Sequence, residues 1–275
     1  MVPEIDGNTR IFVQLAHPSA HVRTPQMLNQ TFVDRGMNVA AVAIDVAPDD
    51  LPNLLEGLRG WRNLVGAGVT MPHKGPILDL MDDVEGPARE IGSVNMVRRD
   101  PDGRFIGTNG DGQGFVLGLR TETMDIAGRR VLVVGIGGAG RAIAWALGDA
   151  GVSNIGLSNR TMETAEGLSA ELTDHFVGLT VDAVEAPDPT GYDLVINATP
   201  LGMSADDPLP VMVEKLEPMT AVADIIMVPS VTPLMEAAAE RGCTVHGGRS
   251  MMTSQTEIFM DFLRLEQFDG DASDR

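Results

Sequence analysis

One stretch restricts the possible folds more than any other: Arg129 to Gly151, RRVLVVGIGGAGRAIAWALGDAG, which reads as a strand, a glycine turn and a helix. Val131 to Val134 form a short run rich in β-branched residues, Gly135, Gly137 and Gly140 follow as G-x-G-x-x-G, and Ala142, Ile143, Trp145, Ala146 and Leu147 continue at helical spacing. In that order the first glycine makes the tight turn, the second lets backbone approach a pyrophosphate, and the third allows helix to pack closely on strand. The start of the helix then offers unpaired N–H groups to the phosphates. The pattern predicts a dinucleotide-binding unit lined by Gly135, Gly137, Gly138, Ala139 and Gly140, with a purely structural glycine turn as the rival reading.

The next strand refines the cofactor. Ile155 to Ser158 runs into Asn159-Arg160-Thr161, roughly 20 residues beyond the first glycine, where an NAD site carries Asp or Glu. No carboxylate stands there. Arg160 offers a planar cationic fork to the 2′-phosphate of NADP and Thr161 a hydroxyl donor. The sequence therefore predicts NADP, with NAD possible.

Length and charge bound the rest. At 275 residues the chain holds two ordinary α/β domains, and 31 glycines and 17 prolines suit the many βα loops of that class. A formal charge of −19 argues against nucleic acid and against anionic membranes, both of which demand a basic face. No apolar run is long enough to span a bilayer, and MVPEIDGNTR does not read as a signal peptide. Lys74 and Lys215 are the only lysines, so a lysine beside a predicted site carries weight. The single cysteine, Cys243, excludes a disulfide within these residues and any cysteine-rich metal site. A reducing cytoplasm and no bound metal are expected.

Before the glycine turn the pattern is already β-α-β-α-β. Strands are predicted at 10–15, 38–46 and 64–70, and helices at 24–36 and 49–58, with Thr24 as the N-cap of the first and Pro25 at its first helical position. The loop Met71-Pro-His-Lys-Gly-Pro leads to a short helix at 77–81, and strands at 92–98 and 104–107 form a hairpin expected at the sheet edge. Helices are expected at 115–120, 161–172, 232–241 and 251–265, and strands at 194–197, 221–225 and 244–246. Gln255 lies one turn before Phe259 on the apolar face of the last helix, where an amide needs a partner. Residues from Gln267 onward read as an exposed tail. The expected division is a substrate domain from 1–110 with 248–275, and a Rossmann domain from 111–247.

Seven blocks in order, VTMPHK (69–74), GSVNMV (92–97), TNGDG (108–112), GIGGAG (135–140), SNRT (158–161), INATPLGM (196–203) and GGRSMMTSQ (247–255), give the chain a likeness over nearly its whole length: it resembles the shikimate dehydrogenase family. The resemblance implies two α/β domains with a cleft between them, and NADP-dependent hydride transfer between a ring carbinol and its ketone. It implies that Lys74 and Asp111 are catalytic, exchanging the hydroxyl proton as hydride leaves the carbon. Such chemistry requires an acid or base within hydrogen-bond reach of the oxygen. By the same likeness Asn95 and Gln255 bind substrate, Ala198 and Thr199 line the cofactor pocket at the end of a strand, and Gly248 and Met251 lie near the nicotinamide.

Departures from the family pattern fall around the substrate. Two serines that hold a carboxylate are Val22 and Thr24 in this chain, a tyrosine after the strand at 221–225 is Met227, and the threonine of the N-T-D block is Gly110. Losing one charged hydrogen bond costs about 1.5–3 kcal/mol, enough to shift preference between substrates. An arginine that follows the N-R-T triplet in the family is Thr164, so Arg160 lacks a second clamp. The resulting expectation is a shikimate/3-dehydroshikimate oxidoreductase, monomeric or homodimeric. The alternatives are quinate, another cyclic polyol, or a paralogue that binds NADP or a metabolite without turnover.

Overall fold

The computed structural model describes residues 4–20, 22–204 and 206–265; the tail expected from Gln267 lies outside them. The chain divides into two compact units, one of residues 1–110 with 256–275, the other of Asp111–Gln255. The return to the first unit therefore falls inside the last helix, at 256, and not at 248 as the sequence suggested, because the first turns of that helix pack within the second unit.

In the first unit, β1 (Arg10–Ala16), β2 (Val39–Asp45) and β3 (Leu64–Val69) are parallel and are joined through α1 (Thr24–Asp34) and α2 (Leu51–Arg59). The sheet continues antiparallel through β5 (Met96–Arg99) and β6 (Phe105–Thr108), and β4 (Asp83–Val84) pairs parallel with β6, giving the order β2-β1-β3-β5-β6-β4. The hairpin is thus internal. Two-residue β4 forms the edge, which no periodicity could reveal. Alternation along β1 sends Phe12 to one face, with Phe32, Val65, Phe259 and Leu263, and Val13 and Leu15 to the other, with Leu55, Leu58 and Ile77. Covering both faces is what a largely parallel sheet requires.

Several boundaries moved. The N-cap of α1 is Arg23, not Thr24, and it makes no side-chain cap bond. The segment predicted as a helix at 77–81 is a 3-10 turn at Pro76–Leu80, and the strand predicted from 92 begins at Met96, after the four-residue helix α3 (Ala88–Ile91). Gly92 ends α3 at φ 73°, a conformation glycine adopts without strain.

The second unit opens with α4 (Asp111–Glu122), longer than the sequence suggested and carrying Asp111 in its first turn. Then follow β7 (Arg130–Val134), α5 (Gly138–Asp149), β8 (Asn154–Ser158), α6 (Met162–His175), β9 (Thr180–Ala183), β10 (Leu194–Asn197), β11 (Ala221–Asp224), α7 (Pro233–Glu240), β12 (Thr244–His246) and α8 (Arg249–Leu263). Strand β9 has only Val181 buried, and its polar sequence hid it. All six strands are parallel in the order β12-β11-β10-β7-β8-β9. Counted within this unit, that is the doubly wound 3-2-1-4-5-6 order, whose ligand crevice opens at the carboxyl ends of the two central strands. Those strands are β7 and β10. No helix among the described residues is long and apolar enough to cross a membrane.

Candidate active site

The turn after β7 is closed on one side and open on the other. A Cβ at Gly140 would collide with the Gly135 carbonyl oxygen, and one at Gly135, whose φ is +94°, would lie 2.6 Å from Thr199 Cγ2 and 2.9 Å from the Ala198 carbonyl carbon. Glycine at both positions lets the turn press against the exit of β10. At Gly137 and Gly138, by contrast, a Cβ would meet nothing within 4 Å. The backbone there is bare and faces open space at the start of α5, as a pyrophosphate requires.

Asn159 secures this turn from the neighbouring strand. Its Oδ1 accepts from the Ile136 N–H at 3.0 Å, and its Nδ2 donates to the Thr161 carbonyl at 3.0 Å. Arg160 is exposed and makes no ion pair among the described residues. Thr161 is the N-cap of α6 and makes no side-chain cap bond. The residues present therefore fit a dinucleotide with a phosphate on its adenosine ribose.

Behind the turn lies a network that sequence reasoning passed over. Asp224, fully buried at the end of β11, accepts from Asn197 Nδ2 at 3.0 Å, Thr232 Oγ1 at 2.8 Å and the Ile226 N–H at 2.9 Å. Burial holds its carboxyl above the usual range against the opposing pull of the three donors. Asn197 in turn accepts from the Thr199 hydroxyl at 2.6 Å and its N–H at 3.0 Å. Ala198 and Thr199 are thereby fixed across from Gly135 and Gly140. An aspartate closing an apolar strand, in AVADII, was the available signal.

Asp111 and Gln255, 144 residues apart, meet within the second unit. Gln255 Nε2 donates to Asp111 Oδ1 at 2.7 Å, and Asp111 is buried. The amide that needed a partner on the apolar face of α8 has found a carboxylate. Met251, one turn earlier, is half-buried. Gly248 presses on the exit of β11, where a Cβ would lie 2.5 Å from the Ile225 carbonyl oxygen. Met227 follows that exit and is 39% exposed.

In the first unit Lys74 sits in the loop after β3, half-buried. Its carbonyl accepts from the Val94 N–H at 2.8 Å, and the adjacent His73, fully buried, bonds through Nε2 to the Val46 carbonyl at 3.0 Å. The loop is thus pinned on both sides of the lysine. Asn95 is buried, and its Oδ1 accepts from the Gly110 N–H at 2.9 Å. At Gly110 a Cβ would collide with Met96 Cε, so a thioether methyl fills the space that the family gives to threonine. Val22 and Thr24 lie half-buried at the entry to α1. Neither bonds to another of the site residues. In the same loop His17 Nδ1 and the Ser19 N–H both bond the Asp45 carboxylate at 2.8 Å.

Comparison with known proteins adds the following. Residues 15–97 match the model of the shikimate dehydrogenase substrate binding domain. The shikimate dehydrogenase (NADP(+)) of Rubrobacter xylanophilus is 40% identical over 261 residues, covering 92% of this chain and 90% of that one. The ligand-free 5-ketofructose reductase of Gluconobacter sp. strain CHM43 superposes with a TM-score of 0.85 at 32% identity, covering 93% of each chain. The Thermus thermophilus shikimate 5-dehydrogenase in complex with NADP(H) and shikimate gives a TM-score of 0.84 at 30% identity, covering 93% of this chain and 94% of that one.

Proposed function

Because the chain belongs to the shikimate dehydrogenase family, we propose that it is an NADP-dependent oxidoreductase interconverting a ring hydroxyl and its ketone, with shikimate and 3-dehydroshikimate as the substrate pair. A nicotinamide held by the site residues would supply the hydride chemistry at the carbinol carbon. Lys74 is the group that takes or returns the hydroxyl proton, the acid or base such a carbinol–ketone exchange requires. Asp111 is its catalytic partner in the reaction, and Gln255 orients Asp111 through the 2.7 Å bond. That buried, oriented carboxylate at the first turn of α4 is the observation that carries the reading. Asn95 and Thr24 bind substrate hydroxyl or carboxylate oxygens, Val22 and Met227 stand at positions where the family pattern has substrate contacts, and Gly248 and Met251 border the nicotinamide. Gly135, Gly137, Gly138, Ala139, Gly140, Ala198 and Thr199 receive the rest of the dinucleotide, and Asn159, Arg160 and Thr161 its adenosine end. A cytoplasmic setting and a monomer or homodimer complete the reading.

Quinate or another cyclic polyol is the second reading. Val22 and the Met96-filled space at Gly110 favour it, since both remove hydroxyl partners that shikimate would use, and the similarity to a 5-ketofructose reductase points the same way. The deciding experiment is NADP+ reduction by purified protein with shikimate, quinate and a panel of polyols, followed by NADPH absorbance. Turnover with shikimate that vanishes in Lys74→Ala supports the first reading. Turnover with a polyol alone transfers the chemistry to the second. NADPH binding without turnover on any substrate overturns both in favour of a non-catalytic paralogue.

A further inference from the structure

A buried histidine with no part in the reaction closes one end of the packing that carries Asp111 and Gln255. His246, at the end of β12, is 3% exposed, and both of its ring nitrogens are engaged. Nδ1 lies 2.6 Å from Thr123 Oγ1, just beyond α4, and Nε2 lies 2.6 Å from Ser250 Oγ, in the first turn of α8. Ser250 Oγ also donates to the Gly247 carbonyl at 3.3 Å. With that proton committed, Ser250 accepts from Nε2–H, and the Thr123 hydroxyl donates to Nδ1. Burial holds the imidazole below its usual proton affinity, so it is neutral, and in this tautomer one ring nitrogen donates and the other accepts.

Between the two ends α4 and the start of α8 touch almost backbone to backbone. A Cβ at Gly118 would lie 2.9 Å from Ser250 Oγ, and one at Gly114 would lie 2.5 Å from Gln255 Cγ and 3.1 Å from the Met251 carbonyl oxygen. On another side of α4, a Cβ at Gly112 would collide with the Ala142 carbonyl of α5. Contacts therefore run in register along α4: Asp111 with Gln255, Gly114 with Met251 and Gln255, Gly118 with Ser250, Thr123 with His246.

We propose that His246 is a positioning residue, whose bonds to Thr123 and Ser250 set the register of α8 on α4 and so hold the Gln255 amide on the Asp111 carboxylate. The catalytic part of this inference rests on the proposed role of Asp111; the register does not. Smooth glycine surfaces alone let two helices slide. A residue bonded to both helices at one end stops the sliding, and a displacement of about 1 Å at a reacting group costs up to 10²-fold in rate.

The test uses the whole enzyme in three variants, with Asp111→Asn as a fourth for reference. His246→Phe keeps a ring of similar size and loses both bonds; His246→Gln keeps a donor and an acceptor; Ser250→Ala removes one partner. Amide hydrogen exchange at Met251 to Gln255 reads the register whether or not Asp111 is catalytic. The expected result is exchange faster by roughly 10-fold or more in His246→Phe and Ser250→Ala, and restored protection in His246→Gln. In the same variants kcat falls roughly 10- to 100-fold, and His246→Gln recovers most of it. Unchanged exchange in His246→Phe overturns the proposal, as does faster exchange with unchanged kcat in an enzyme where Asp111→Asn abolishes turnover. If Asp111→Asn leaves turnover intact, the reading of Asp111 has failed, and exchange alone then decides for or against the clasp.

Discussion

The loop after β3 and the turn after β7 leave their sheets in the same way and serve opposite needs. The first presents a side chain. Lys74 can do so reproducibly because its carbonyl is bonded by Val94 and its neighbour His73 is buried against Val46. The second presents backbone. Gly135 and Gly140 are pressed together where any side chain would collide, while Gly137 and Gly138 face open space. A side chain is made useful by partners that hold its backbone, and a bare peptide by the absence of everything around it. The two loops therefore fail differently when mutated.

Removing the presented group from the first loop is the largest perturbation. Lys74→Ala is expected to lower turnover by roughly 10²- to 10⁴-fold, the usual worth of a positioned acid or base, while NADPH titrated by fluorescence binds as before. A variant within a few-fold of wild type would leave Lys74 without a role in proton transfer. In the second loop, adding a methyl should separate the two functions of glycine. Gly140→Ala meets rigid backbone and is expected to cost about 3 kcal/mol of stability together with cofactor binding. Gly137→Ala meets no protein atom and should keep stability within about 0.5 kcal/mol while weakening NADPH. Equal melting points and equal affinities for the two variants would erase the distinction.

Arg160 tests the same comparison with a side chain presented from the exposed loop after β8, which Asn159 ties to Ile136 and Thr161. Arg160→Gln should weaken NADP by about 10- to 100-fold, one charge-assisted hydrogen-bond set, with NAD unchanged. An equal loss for both cofactors would place the arginine away from the 2′-phosphate.

The smallest effect concerns the frame of the first unit. Buried Arg98 bonds Asp100 at 2.7 Å and Glu85 at 2.9 Å and stacks on Phe262 of α8. The Arg98 guanidinium holds the Glu85 carboxyl below its ordinary value of 4.5, and Arg59 does the same for Asp82. A depressed carboxylate binds fewer protons in the folded state, so its contribution is present above the unfolded value and is lost as pH falls through the folded one. Denaturant unfolding should show stability level between about pH 5 and 8 and declining below about pH 4. Glu85→Gln should shrink that decline by less than about 1 kcal/mol, since the side chain is 42% exposed and screened. A steeper acid loss in the variant would contradict the sign.

How much was legible follows the same division. The open dinucleotide turn could be read because its requirement is written in the residues themselves: three glycines at fixed spacing between a β-branched run and a helix. Lys74, Asn95, Asp111 and Gln255 could be named from the order of the seven blocks, yet nothing in their spacing said that Gln255 would bond Asp111 across 144 residues. Asp224 and the His246 clasp went unread. Their partners lie on other strands and helices, and a buried polar residue looks like any other until those partners are in place.

Two α/β halves, the position of the glycine turn, the arginine where a carboxylate would mark NAD, and the missing hydroxyls at Val22 and Gly110 are all legible along the chain. Periodicity and backbone sterics are local, so a linear chain displays them. The internal place of the hairpin, the hold of the second unit on the first turns of α8, the filling of the space at Gly110 by Met96 and the bond of Gln255 to Asp111 emerge only on folding. Each of those depends on which surfaces come within a few ångströms once the sheets have formed, and contact between distant residues has no signature in their separation along the chain.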